Sequence, residues 1–227
     1  MMRRAVLLGL LVAAIVGGGL VTWSLTRGAP PKSQGVLETL EVHGEVPDFT
    51  LIERSGRRVT RPDLLEHVWV ANFIYTQCKE TCPLQSAQMA RLQSEFSGEE
   101  DLRLVSISVD PVHDTPEVLS RYAEQFLADP LRWLFLTGEK REIYMLAKEG
   151  FRLGVVDPDD QVETGKLSQQ FLPRPAVATH GSQGIVIHSS RFVLVDRRAR
   201  IRAYHLPDDE DSLARLRENL KILLRER

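Results

Sequence analysis

Cysteine is scarce in this chain: 227 residues hold only Cys78 and Cys82. One bridge between them would close a loop of a few residues and stabilise weakly, so no disulfide framework carries the fold. Internal repeats are absent, which excludes a repeat array. There is no excess of basic residues either, with 29 Lys and Arg against 31 Asp and Glu and a net charge of −2. Without residues 1–28, which hold three arginines and no acid, 26 basic residues face 31 acidic ones, a balance unsuited to nucleic acid. Proline and glycine, 12 and 15 residues, lie well below the level that signals disorder.

Between Ala5 and Thr26 lie 22 uncharged residues, about 33 Å as a helix and enough to cross a bilayer core. A cleaved signal peptide is the rival reading, but its apolar region usually runs about 7 to 15 residues, and Ser24-Leu25-Thr26-Arg27 offers no small-x-small site. The stretch has no cysteine to lipidate. Arg3, Arg4 and the free amine before it, against Arg27 after it, predict a cytoplasmic N-terminus and an exported body. No long transit segment comes first, so the expectation is a single-pass protein of the bacterial inner (cytoplasmic) membrane, its soluble domain on the periplasmic or outer side. Residues 1–27 form the anchor, 28–42 a linker that includes the Gly- and Pro-rich Gly28–Gln34, and 43–227 one globular domain.

Within that domain Val46–Leu51, the Ser55-Gly56 turn and Arg58-Val59-Thr60 suggest an opening hairpin. Val68–Tyr75 (VWVANFIY) reads as a buried strand. Pro83 begins a pattern in which Leu84, Ala87, Met89 and Leu92 recur at roughly helical spacing. Leu102–Val109 is a second apolar strand, followed by a helix start at Thr115-Pro116. Trp133–Leu136 reads as a strand, and Glu139–Lys148 as a helix carrying Ile143 and Leu146 inward. Phe192–Val195 and Ile201–Tyr204 flank a hairpin turn. The last helix starts at Asp208–Asp211 and buries Leu213, Leu216, Leu220 and Leu223. Strands alternating with helices imply an α/β fold with a parallel pair. The basic residues from Arg191 to Arg202 read as solvated strand faces, and 157–184 as a functional loop longer than connections usually run.

The cysteines fall where a strand gives way to a helix, four residues apart, so their sulfurs can bond each other or share one metal ion. A helix N-terminus there would lower their pKa values and favour thiolate. Two inert core cysteines are the bland alternative, which the pairing at such a turn disfavours. Two thiolates with a third ligand such as imidazole suit Cu(I); two cysteines with two histidines would suit zinc. His43, His67 and His205 lie near element ends and read as solvated or capping residues. His113, His180 and His188 remain as possible ligands, and spacing alone does not choose among them.

Four blocks in order resemble the Sco (SenC/PrrC) family of copper proteins across nearly all of the soluble part: Val46-Pro47-Asp48-Phe49; Thr76-Gln77-Cys78-Lys79-Glu80-Thr81-Cys82-Pro83; Asp110-Pro111 with Asp114-Thr115-Pro116-Glu117 and Leu119; and His188-Ser189 with Leu194-Val195-Asp196. The resemblance implies a thioredoxin-like fold, a mixed sheet flanked by helices, and copper held by Cys78, Cys82 and His188, as Cu(I) or also Cu(II). It further implies delivery of copper to the binuclear centre of cytochrome c oxidase, on its copper-bearing subunit, or to another acceptor. Lys79 stands where the family usually has Pro, and His180 is a substitute ligand close to His188. A chaperone of this kind need not turn over as an enzyme, and it requires a thiol reductant, since an oxidised pair cannot ligate Cu(I). The alternatives are a thiol–disulfide reductase in which Cys78 and Cys82 are the redox-active pair, and a copper or redox sensor. A peroxide-reducing enzyme is weaker, because the sequence places no activating Arg.

Overall fold

The computed structural model describes residues 40–79, 81–156, 186–187 and 190–226. The expected anchor at 5–26, most of the linker, the 157–184 stretch, His180 and His188 lie outside the described residues. Among the described residues no helix is long and apolar enough to cross a membrane.

The chain opens with a short strand β1 (Gly44–Glu45), followed by the antiparallel hairpin β2 (Thr50–Glu53) and β3 (Arg58–Thr60). Gly56 turns that hairpin at φ +84°, a left-handed conformation that glycine adopts without a Cβ penalty. The apolar run then forms β4 (Val68–Ile74), buried at every position, as expected of a strand covered on both faces. Helix α1 (Thr81–Glu95), β5 (Leu102–Ser108), α2 (Pro116–Gln125) and β6 (Trp133–Thr137) follow. At the start of α2, Thr115 Oγ1 accepts from the Val118 N–H.

Next come α3 (Lys140–Met145) and a π-helical turn, Leu146–Gly150. One continuous helix was expected here, and its last turn is instead widened. Gly150 lies tight against Pro47, whose Cδ would be 2.8 Å from a Cβ at that position. The pair β7 (Val155–Val156) and β8 (Val186–Ile187) forms a small separate sheet. Strands β9 (Phe192–Val195) and β10 (Arg200–His205) and helix α4 (Glu210–Arg225) complete the described chain.

The main sheet runs β1-β10-β9-β4-β5-β6-β2-β3. Its centre, β4-β5-β6, is parallel, and the outer pairs are antiparallel. Side chains alternate across it. Trp69, Ala71 and Phe73 enter one apolar cluster with Ile143, Leu146 and Phe151; Val68, Val70 and Ile74 enter the other with Met89, Leu119, Leu213 and Leu220. Helices α1, α2 and α4 therefore cover one face, and α3 with the opening segment covers the other.

Several sequence expectations are corrected. On α1, Leu84 is exposed, whereas Gln85 and Ser86 are buried beside Cys82, Met89 and Leu92. The basic residues after Arg191 are not all solvated: Arg202 is buried and paired with Asp196 at 2.8 Å. His205 neither caps nor faces water, being buried on β10 near Asn219 of α4; burial pushes its pKa down to about 4.

Candidate metal centre

Strand β4 ends at Ile74, and the chain turns through Tyr75-Thr76-Gln77 so that the Cys78 N–H donates to the Tyr75 carbonyl at 3.1 Å. Four residues on, in the first turn of α1, the Cys82 N–H donates to Cys78 Sγ at 3.4 Å, with Thr81 Oγ1 3.8 Å from the same sulfur. Both cysteines are buried thiols within the cluster beneath α1 and α2. The juxtaposition expected from their spacing is present.

For Cys82 the expected electrostatics are not. Burial pushes the Cys82 thiol up to about 12; a backbone hydrogen bond with Tyr75 opposes the rise and the adjacent Cys78 side chain adds to it. Desolvation of the charged form thus outweighs the field of the helix N-terminus, and Cys82 carries its proton at neutral pH until something displaces it.

Neighbouring polar groups hold the turn in place. The buried Asp114 carboxylate accepts from the Thr76 N–H (3.1 Å), from the Thr76 hydroxyl and from the Ser108 hydroxyl (2.6 Å), tying the chain two residues before Cys78 to the loop between β5 and α2. Burial raises the Asp114 pKa, and these hydrogen bonds pull it partly back. Beneath α1, the Trp133 indole donates to Ser106 Oγ (3.0 Å), Ser106 donates to Asn72 Oδ1 (2.7 Å), and Asn72 donates to Gln85 Oε1 (3.2 Å). Ser86 pairs with the Tyr122 hydroxyl at 2.9 Å, and burial pushes that phenol up to about 12. Thr76 and Asp114 fall in the blocks that carry the family resemblance, whereas Gln85 and Ser86 look like surface residues in a single sequence.

Two soft sulfur donors in an apolar setting fit a soft monovalent ion that takes further ligands from elsewhere. His113 is engaged locally: its Nδ1 lies 2.9 Å from both carboxylate oxygens of the buried Asp110, whose hydrogen bond raises its pKa. Among the described residues no group of three or more His, Cys, Asp and Glu side chains is arranged to hold a metal. His188, the residue directly after β8, is outside the description. The alternative chemistry open to the pair is thiol–disulfide exchange.

The SCO1/SenC family model matches residues 38–224. The SCO1 protein homolog of Bacillus subtilis is 35% identical over 133 residues, 58% of this chain and 69% of that protein; matches to other relatives span about half of their lengths. Among solved structures, BsSco, described as a member of the Sco family of cytochrome c oxidase assembly proteins with a disulfide switch, superposes with a TM-score of 0.64 at 26% identity, over 84% of this chain and 99% of that one. A copper-bound ScoI from Arabidopsis thaliana shares the fold, with a TM-score of 0.56 at 23% identity over 77% of this chain and 97% of that one. The mixed sheet with flanking helices is that of the thioredoxin-like Sco fold, as the sequence resemblance implied.

Proposed function

The chain belongs to the SCO1/SenC family, and on that premise we propose that it is a copper-handling protein of cytochrome c oxidase assembly, its cargo a single Cu(I) ion held by Cys78, Cys82 and His188. The observation that carries the reading is the thiol pair: two buried cysteines at a strand-to-helix turn, the N–H of one donating to the sulfur of the other, in a chain whose family match spans residues 38–224. Residues 5–26 anchor it in the membrane with the thiols on the outer side, and a thiol reductant keeps the pair competent.

In this reading Cys78 and Cys82 bind as thiolates, so uptake releases the Cys82 proton. Asp114 and the buried relay under α1 hold the two sulfurs in place, and the acceptor, the copper-bearing subunit of the oxidase, takes the ion by ligand exchange. Competition of the reduced full chain, in non-ionic detergent, against a chromophoric Cu(I) chelator is expected to give one tight equivalent. Cys78→Ser and Cys82→Ser should abolish it and His188→Ala should weaken it. Apparent affinity should tighten about tenfold per pH unit for each proton released. Undiminished binding in either serine variant would sink the reading.

A second reading, a thiol–disulfide reductase acting on the acceptor's cysteines, draws on the closeness of the two thiols. It needs no imidazole ligand, so His188→Ala with full reductase activity and lost copper binding would favour it.

A further inference from the structure

A cavity of about 330 Å³ is lined by His43, Arg152, Leu153, Gly154, Arg191 and Tyr204. Arg152 lies three residues before β7, Arg191 directly before β9, and Tyr204 on β10. No carboxylate is among the described residues that line it. Neither Arg152 nor Arg191 makes an ion pair among the described residues, while the nearby Glu45 is taken by Arg61 at 2.6 Å. Two guanidiniums beside one cavity repel each other unless an anion joins them.

The phenol in the wall points the same way. The Tyr204 hydroxyl is buried and has no hydrogen-bond partner among the described residues, a condition that is costly and calls for a partner. Burial raises its pKa, and the charges of Arg152 and Arg191 both act to lower it, so both cations are felt at this hydroxyl. The backbone accommodates the arrangement at some cost. Arg152 adopts φ +52°, a left-handed conformation that is unfavourable for a non-glycine residue. Its guanidinium packs on Gly44, where a Cβ would stand 3.3 Å from Nη2. The His43 ring, 5.9 Å from the Tyr204 ring, completes a wall with a donor-rich rim, in a volume at the small end of ligand sites.

We propose that this cavity binds a small oxoanion, a carboxylate or a phosphate, between the guanidiniums of Arg152 and Arg191, with the Tyr204 hydroxyl donating to it. Guanidinium forks suit either anion in bidentate geometry. None of the lining residues is a proposed copper ligand, so Cys78→Ser should bind anion normally, and failure of the copper reading would leave this one standing.

Calorimetric titration of the full chain in non-ionic detergent with sodium phosphate, and separately with sodium acetate, each against sodium chloride at equal ionic strength, tests it. Saturable binding of at least one oxoanion is expected, and the stronger of the two identifies the class. Arg152→Gln and Arg191→Gln should each weaken it roughly tenfold or more, and Tyr204→Phe several-fold. Arg191 is exposed, so its variant should keep the unfolding temperature measured without anion. Heats equal to those of chloride for both anions, or affinity unchanged in Arg191→Gln and Tyr204→Phe, would overturn the proposal.

Discussion

Asp114 is fully buried, and the three donors it accepts come from Thr76 and Ser108. Removing the carboxylate orphans those groups in a dry setting, and a buried unsatisfied donor costs about 1–3 kcal/mol. Asp114→Ala should therefore lose about 2–4 kcal/mol in urea unfolding and, because Thr76 sits two residues before Cys78, bind Cu(I) more weakly. A variant as stable as the parent would show that the clamp is dispensable. The Thr115 cap next door is legible in the sequence because capping is local. Asp114 is legible as a motif residue but not as a partner of Thr76, since a bond across 38 residues leaves no trace in spacing. The cysteines were legible for the opposite reason: their partnership is complete within one helical turn.

Among the elements, α4 shows how far local pattern reaches. Its leucines repeat at helical spacing and all four expected ones are buried. Its C-terminus is closed by a residue that looked like a solvated turn charge: Arg197 donates to the carbonyls of Leu223 (2.6 Å) and Glu226 (2.7 Å) and pairs with Asp101 at 3.1 Å. A helix leaves its last carbonyls without intrahelical partners, and here the β9–β10 turn supplies them. Arg197→Ala should cost about 1–3 kcal/mol, seen as a lower unfolding midpoint and faster amide exchange in the last turn of α4; protection equal to the parent's would refute the capping role. Helix α1 is the counterexample. Hydropathy put Leu84 on its inner stripe, yet the stripe is built from Cys82, Gln85, Ser86 and Met89, because Asn72 and Tyr122 satisfy the polar members from other elements. Periodicity found the helix and misjudged its rotation.

For the molecule as a whole, the order of strands and helices was readable but the assembly of the sheet was not. Nothing local says that the β2–β3 hairpin adds beside β6, or that β1 lies on β10. Folding also buries His205 between that sheet and α4, which gives global stability a pH dependence. Its pKa falls from 6.5 to about 4, chiefly through burial. Between those values the unfolded chain holds a proton that the folded chain does not. The contribution is therefore complete above about pH 6.5 and fades as pH falls toward 4, by on the order of 3 kcal/mol. Urea midpoints across that interval should drop in the parent and flatten in His205→Gln; equal slopes would contradict this assignment.

Strand β4 has β5 along one edge and β9 along the other, with the rim strands β1 and β3 farther out. The sulfur-bearing turn thus springs from the keystone of an arch. Fraying at either rim spends its disorder before reaching the thiols, and their geometry outlasts loosening at the margins.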